Sequence, residues 1–280
     1  MENKKIFWLS SYPKSGNTWV RAIISSLFFT NDGVFDFSLL KNFTVFDQES
    51  KYDFIKEIDK GDYRQIKKLK ILSKYRIEAQ KRAFVGGDFA FFKTHSSNIN
   101  INDNCYTNEK STRGVIYLIR DPRDVAISYS KHIGCSIDET IDIMTNETEV
   151  NYYYSMPYLM SRWDLHYKSW SHLKVPKLII KYENLVENVE KNFDLIINFF
   201  SKNYGFVFNN IDKVKKNILS STSFDSLKKL ENLSGFEEST KHTNFFRVGK
   251  SKQWAEILND KQENKLSNEF KEVMKEFNYL

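Results

Sequence analysis

The apolar pattern changes period near the start of the chain. Ile6-Phe7-Trp8-Leu9 is an unbroken apolar run, short enough to read as a buried strand rather than a helix. From Val20 to Phe28 the apolar residues recur at helical spacing, which predicts a helix. The same alternation returns later. Residues 84–95 give a turn and then a short aromatic strand that ends in Lys93-Thr94-His95. Gly114-Val115-Ile116-Tyr117-Leu118-Ile119 is the clearest buried strand, and a helix through Val125 to Lys131 follows it. Pro176 precedes a further strand over 177–182. Strands at 6–10, 89–93, 115–119 and 178–181, separated by helices, predict an α/β fold with a mostly parallel sheet. Further helices are expected at 137–146, 184–202 and 261–277, with shorter ones within 209–232. A long aromatic helix is expected over about 152–173, carrying Tyr154, Tyr158, Trp163, Tyr167 and Trp170, an aromatic set that reads as core.

The remaining stretches are less regular. Asp32-Gly33 is a turn signal. From Tyr52 to Ala83 the chain is Lys-rich and reads as one or two helices, broken near Gly61. Its basic face is ordinary solvated surface, or else a cap over an acceptor site. Residues 96–113 are polar, Asn-rich and without apolar period, so they read as a mobile loop. Residues 233–246 also read as loop. There is no internal repeat and no low-complexity block.

Composition narrows the function classes. A chain of 280 residues, 41% hydrophobic and 15% aromatic, can fill one core, and it reads as a single domain over 1–280. No window approaches the apolar length needed to cross a bilayer. The start, Met1-Glu2-Asn3-Lys4-Lys5 and a short apolar run, does not read as a secretory signal. Cys105 and Cys135 are the only cysteines, which fits a reducing, cytoplasmic compartment rather than a disulfide framework. No Cys/His cluster has zinc spacing, and no metal is expected. The net charge of +6 suits an acidic ligand. Without a dense basic arm or a recognisable module, nucleic acid is not the expected partner.

Tyr12-Pro13-Lys14-Ser15-Gly16-Asn17-Thr18-Trp19 joins the first strand to the first helix. The leading N–H groups of a helix lack intrahelical partners, and the helix dipole favours an anion there. Lys14 adds a full positive charge, and Ser15, Asn17 and Thr18 can cap or donate. This is not a Walker A loop, which needs Lys directly after its second Gly; here Lys14 precedes Gly16 and no first Gly is present. Taken alone, the stretch is also compatible with an ordinary strand-to-helix turn. His95 is a candidate general base. Its residue type titrates near neutrality, and it falls at a predicted strand end, where α/β folds place their sites. A lone His is more often core or surface, and His132, His166, His172 and His242 read that way.

The loop resembles the 5′-phosphosulfate loop of sulfotransferases that use 3′-phosphoadenosine 5′-phosphosulfate (PAPS), usually Tyr-Pro-Lys-Ser-Gly-Thr-Thr-Trp. Asn17 replaces the first Thr. The resemblance implies a P-loop-like three-layer α/β/α fold. It assigns Lys14, Ser15, Gly16, Asn17 and Thr18 to the donor and Trp19 to stacking on its base. Lys93-Thr94-His95 resembles the family's Lys-Thr-His, in which the His acts as base and the Lys assists. Arg120 and Ser128 match an Arg and a Ser, eight positions apart, that bind the 3′-phosphate; Ser128 joins Lys14, Lys93 and His95 among the implied catalytic residues. Asp121 and Asp124 then cap the helix or pair with Arg123 rather than serve as a Walker B acid. Phe246-Arg247-Val248-Gly249 resembles the C-terminal Arg-Lys-Gly loop that closes over the 3′-phosphate, with Val248 in place of the Lys. Lys250 and Lys252 are candidate substitutes. Tyr182 and Thr222-Ser223-Phe224 match segments that contact the adenosine.

The resemblance implies transfer of a sulfuryl group to a hydroxyl of a small molecule or glycan, with adenosine 3′,5′-bisphosphate (PAP) as the product. It thins over 30–82, 96–112 and 133–150. Residues 30–82, 96–113 and 233–250 are the expected cap or lid segments. The Lys-Thr-Val-Glu-like dimer signature of soluble members is not evident around 255–264, so a monomer or weak homodimer is expected. Two rivals remain at this point. One is a P-loop kinase, disfavoured by the misplaced Lys; the other is a nucleotide-binding scaffold without activity, favoured only by Val248.

Overall fold

The computed structural model describes residues 6–56, 66–84, 87–151, 157–239 and 244–280. Strand β1 (Ile6–Ser11) leads into helix α1 (Asn17–Phe29), followed by β2 (Phe43–Val45), α2 (Ile66–Ala83), β3 (Ala90–Thr94) and β4 (Thr112–Ile119). Then come α3 (Pro122–Ile133), α4 (Ile137–Thr145), β5 (Val150–Asn151), β6 (Tyr158–Leu159), α5 (Trp163–Ser171) and β7 (Lys177–Lys181). The remainder is helical: α6 (Tyr182–Glu187), α7 (Val189–Tyr204), α8 (Ile211–Ser221), α9 (Phe224–Ser234), α10 (Trp254–Ile257), α11 (Asp260–Glu269) and α12 (Lys271–Glu276).

One sheet has the strand order β2-β3-β1-β4-β7, and β3 runs parallel to both β1 and β2. This is the mostly parallel, helix-flanked sheet expected from the alternation of apolar periods. All six residues of β1 are buried, as a strand covered on both faces requires. Phe91 faces Phe7 on one side and Phe43 on the other, with ring centroids at 5.6 and 5.1 Å. Such cross-strand pairs stabilise and fix register. The same register sets Lys93 between Leu9 and Val45.

Contacts divide the chain into two compact units. The first comprises Met1–Tyr12, Phe43–Tyr117 and Asp142–Lys177; the second comprises Pro13–Asn42, Leu118–Ile141 and Leu178–Leu280. The core of the first is aromatic. Trp8 packs on Phe46, Phe92, Tyr106 and Trp170, with centroids 5.2 to 5.8 Å away. In the second unit, Ala22, Phe35, Leu40, Leu227 and Phe246 form a core against which Trp19, Phe224 and Phe236 pack.

Four expectations change. The helix expected over 152–173 is only α5. Tyr158 and Leu159 instead pair as a strand with Asn151 and Val150, and residues 152–156, with Tyr154, lie outside the described residues. Ser161 has a left-handed φ of 60°, which lies outside the helical region. The helix expected over 184–202 is α6 and α7, divided at Asn188, whose side chain caps the second by accepting from the Lys191 amide. The final helix is likewise divided, at Phe270. Residues 96–111 lack regular structure as expected but are firmly held. The Ser97 amide donates to the Leu159 carbonyl at 2.8 Å, and the Thr107 amide to Asn98 Oδ1 at 2.9 Å. Side chains there do what a ladder does elsewhere. The break expected near Gly61 lies outside the described residues, as do Val85 and Gly86 of the turn before β3.

Candidate active site

The second unit gathers most of the residues assigned to the donor. Lys14 (φ 63°) and Gly16 (φ 95°) are both left-handed. This puts a sharp bend ahead of α1, whose N-cap residue Gly16 offers no side-chain cap. Its first amides are therefore left to another acceptor. Gly16 is also a point of close approach, since a Cβ there would lie 2.9 Å from Cδ2 of Tyr182. Ser15 is fully buried, and among the described residues neither its hydroxyl nor the Trp19 indole N–H has a hydrogen-bond partner.

Arg120 grips this bend. Its guanidinium donates to the Lys14 carbonyl at 3.0 Å and to the Lys250 carbonyl at 3.2 Å, and it lies 4.1 Å over the Tyr182 ring. Its Nε has no partner. The Lys14 amine lies 4.0 Å from the Phe245 ring centroid. Burial, with Arg120 and Arg247 nearby, pulls its pKa down to about 8, while Glu238 and Glu231 oppose the shift. Three cations are thus held close together beside donors that nothing among the described residues satisfies, an arrangement suited to a polyanion.

The supporting bonds differ in part from expectation. Asp121 caps α3 and pairs with Arg123 at 2.8 Å, as expected. Asp124 does neither. It accepts the Lys252 and Trp254 amides at 2.7 and 3.0 Å, and burial raises its pKa. Lys250 and Lys252 thus enter through backbone groups, and both side chains are exposed. Val248 and Ser128 are half-buried. Thr222 and Ser223 spend their hydroxyls locally, on the Ile218 carbonyl at the end of α8 and on the cap of α9. Phe224 is the member of that segment free of such a role, and a Cβ at Gly249 would lie 2.5 Å from its ring.

Sequence reasoning missed two acids here. Glu238 accepts from Thr18 Oγ1 at 2.8 Å and pairs with buried Arg21. Glu231 accepts the amides of Phe245 and Phe246 at 2.7 and 2.9 Å and so holds the aromatic end of that loop on α9. Both lie in or beside a stretch without period, which carried no signal for them.

The first unit holds Lys93, Thr94 and His95 at the end of β3. His95 Nδ1 lies 2.8 Å from the Ser11 carbonyl and 3.2 Å from its hydroxyl. A carbonyl only accepts, so Nδ1 carries a proton, and in the neutral ring that leaves the lone pair on Nε2. Behind His95 stands His166, fully buried. Its Nε2 donates to the His95 carbonyl at 3.1 Å, and Tyr117 donates to its Nδ1 at 2.8 Å. Burial drives its pKa down to about 3, so it stays neutral. Lys93 is 1% exposed. His242 lies outside the described residues. Among the described residues no group of His, Cys, Asp or Glu could hold a metal ion, and no helix is long and apolar enough to cross a membrane.

A loop of this kind after the first strand of a parallel sheet defines a P-loop-like α/β protein. The chain belongs to the sulfotransferase family: the model of its sulfotransferase domain matches residues 4–278. Solved structures of similar fold include a mouse sulfotransferase, SULT7A1, complexed with PAP, at 19% identity over 97% of this chain and 85% of that one, with a TM-score of 0.60. Retinol dehydratase is similar in two structures. The one with androsterone and inactive cofactor PAP has 17% identity over 96% and 80% of the two chains and a TM-score of 0.63. The one with retinol and PAP has 17% identity over 98% and 82% and a TM-score of 0.64. At these identities the likeness is one of fold. No curated protein sequence matches significantly.

Proposed function

We propose that the protein transfers a sulfuryl group from PAPS to a hydroxyl of an acceptor. The observation that supports the donor is the cation cluster of Lys14, Arg120 and Arg247 beside the unspent donors of Ser15 and Arg120. A nucleotide with a 3′-phosphate and a 5′-phosphosulfate carries the charge this cluster needs. Lys14, the Ser15 hydroxyl and the first α1 amides take the phosphosulfate. Arg120, Ser128, Arg247 and the Gly249 backbone take the 3′-phosphate. Tyr182, Trp19 and Phe224 contact the adenosine.

In the transfer, His95 Nε2 takes the proton of the acceptor hydroxyl as its oxygen bonds to sulfur. The bond from sulfur to the 5′-phosphate oxygen breaks, in line, and its electron pair stays on PAP. Lys14 and Lys93 neutralise the charge that develops. The chemistry needs no metal, because the cations that offset the leaving group are side chains. Retinol dehydratase has been crystallised with androsterone and with retinol, and a small-molecule alcohol or phenol is the acceptor class we favour.

Calorimetric titration with PAP, ADP and ATP, in the absence of divalent metal, tests the donor. A clear preference for PAP is expected. A preference for ATP, or no binding of any of the three, would overturn the proposal. His95→Ala should abolish transfer from labelled PAPS and leave PAP binding nearly intact.

A further inference from the structure

Asp47 follows β2 at the centre of a three-residue turn, closed by the Gln48 amide on the Phe46 carbonyl at 2.8 Å. The Phe46 amide donates to the Lys93 carbonyl at 3.4 Å, so this turn lies alongside the end of β3. The Asp47 side chain is only 5% exposed, a costly place for a carboxylate unless it is fully hydrogen-bonded. Thr94 Oγ1 donates to it at 2.7 Å, and the Tyr106 hydroxyl lies 3.0 and 3.1 Å from its two oxygens. Arg76, 1% exposed, and Lys93 both act on its charge; Tyr52 and Tyr106 are the other titratable groups beside it.

Thr94 passes this constraint on. Its Oγ1 accepts the Ser96 amide at 2.8 Å, which closes a short turn over the residue between, His95. The Tyr106 hydroxyl also lies 2.8 Å from Thr94 Oγ1, so the Thr94 hydroxyl, held between Asp47, Tyr106 and Ser96, fixes the direction in which His95 leaves the strand. On that direction depends the bond between His95 Nδ1 and the Ser11 carbonyl, and with it the tautomer.

We propose that Asp47 is a positioning residue for the Lys93-Thr94-His95 turn, orienting His95 through Thr94. The proposal rests on the reading of His95 as base for its catalytic meaning, but its geometry can be tested separately. Asp47 has no motif to announce it, since β2 is three residues long.

The test is imidazole nitrogen NMR of the full chain. The His95 signal is assigned by its loss in His95→Ala. In the wild type His95 should hold a single tautomer, protonated at Nδ1. Asp47→Asn and Thr94→Val should give mixed tautomers and move the His95 titration midpoint by about half a pH unit or more, with the PAP dissociation constant within about twofold of wild type. Thr94→Ser, which keeps the hydroxyl, should restore the wild-type signal. An unchanged tautomer and midpoint in both Asp47→Asn and Thr94→Val would overturn the proposal. If Asp47→Asn no longer binds PAP, the Thr94 pair of variants decides. Transfer from PAPS that survives His95→Ala would sink the base reading and leave the positioning result standing.

Discussion

His166 Nε2 donates to the carbonyl oxygen of His95 across 71 residues of chain, at 3.1 Å. The donor must keep its proton on Nε2, while Nδ1 accepts from Tyr117; both bonds require a neutral ring. Burial holds the folded pKa at about 3, whereas an unfolded His titrates near 6.5. The unfolded state therefore binds a proton that the folded state refuses, and stability falls as pH drops from about 6.5 toward 3. Above that window the contribution is fully present. Between pH 7 and pH 5 this one group should cost about 2 kcal/mol. His166→Gln keeps a donor for the His95 carbonyl and removes the titration. Urea unfolding at the two pH values should show a smaller loss for the variant than for wild type. Equal losses would mean that His166 is not held neutral.

Lys14 leads to a proton-uptake experiment. With a pKa near 8, its amine is partly neutral in mildly alkaline solution. A bound bisphosphate would bring negative charge beside it and raise that pKa. Binding PAP at pH 8 should then take up about half a proton, and affinity should decline above that pH. Calorimetry in buffers of different ionisation enthalpy reads the uptake directly. Lys14→Arg keeps the charge at every accessible pH and should show none at this site. Uptake that persists undiminished in the arginine variant would assign it to another group.

Glu238 occupies one donor that the resemblance gives to the nucleotide, the Thr18 hydroxyl. It accepts from Thr18 and pairs with Arg21, whose side chain is 3% exposed. Removing one partner of a buried pair leaves a costly lone charge. Glu238→Ala should therefore lower the melting temperature of the free protein. PAP should repair part of the loss by offering phosphate oxygens to the freed Thr18 hydroxyl, so its stabilising shift should exceed that in wild type, and its affinity should rise about threefold or more. A ligand-induced shift smaller than in wild type would show that Glu238 supports the bound state instead.

The contrast between Arg120 and Glu238 shows what local pattern can carry. His95 and Arg120 follow directly on strands with strong apolar runs, and Lys14 and Gly16 lie in the loop just beyond another, so their chain positions were legible as strand ends. The apolar periods also placed β1, β3, β4 and β7 and hence the sheet. β2 was missed because three residues hold no period, and with it went Asp47. The aromatic residues of 152–173 misled for a physical reason. Tyr158 and Trp163 are buried from a strand and a helix separated by Ser161, and burial alone does not distinguish the two. Glu231, Glu238 and His166 act across long sequence distances, which only the folded chain reveals.

Gly16 and Gly205 separate backbone strain from damage to the site. Both have positive φ, 95° and 71°, so alanine at either pays about 1–2 kcal/mol for a left-handed conformation. At Gly205, the C-cap of α7, nothing lies within 4 Å of the new Cβ. At Gly16 the Cβ would lie 2.9 Å from Cδ2 of Tyr182, so the ring or the bend must shift. The Tyr182 ring also packs under the Arg120 guanidinium, and Arg120 holds the Lys14 carbonyl. A displaced ring therefore disturbs the grip on the bend itself. Gly205→Ala should lower the melting temperature and leave PAP affinity unchanged. Gly16→Ala should lower both, with affinity down about tenfold or more. Calorimetry on the two variants checks this. Equal PAP affinity in both would show that the close approach of Tyr182 to the bend contributes nothing to nucleotide binding.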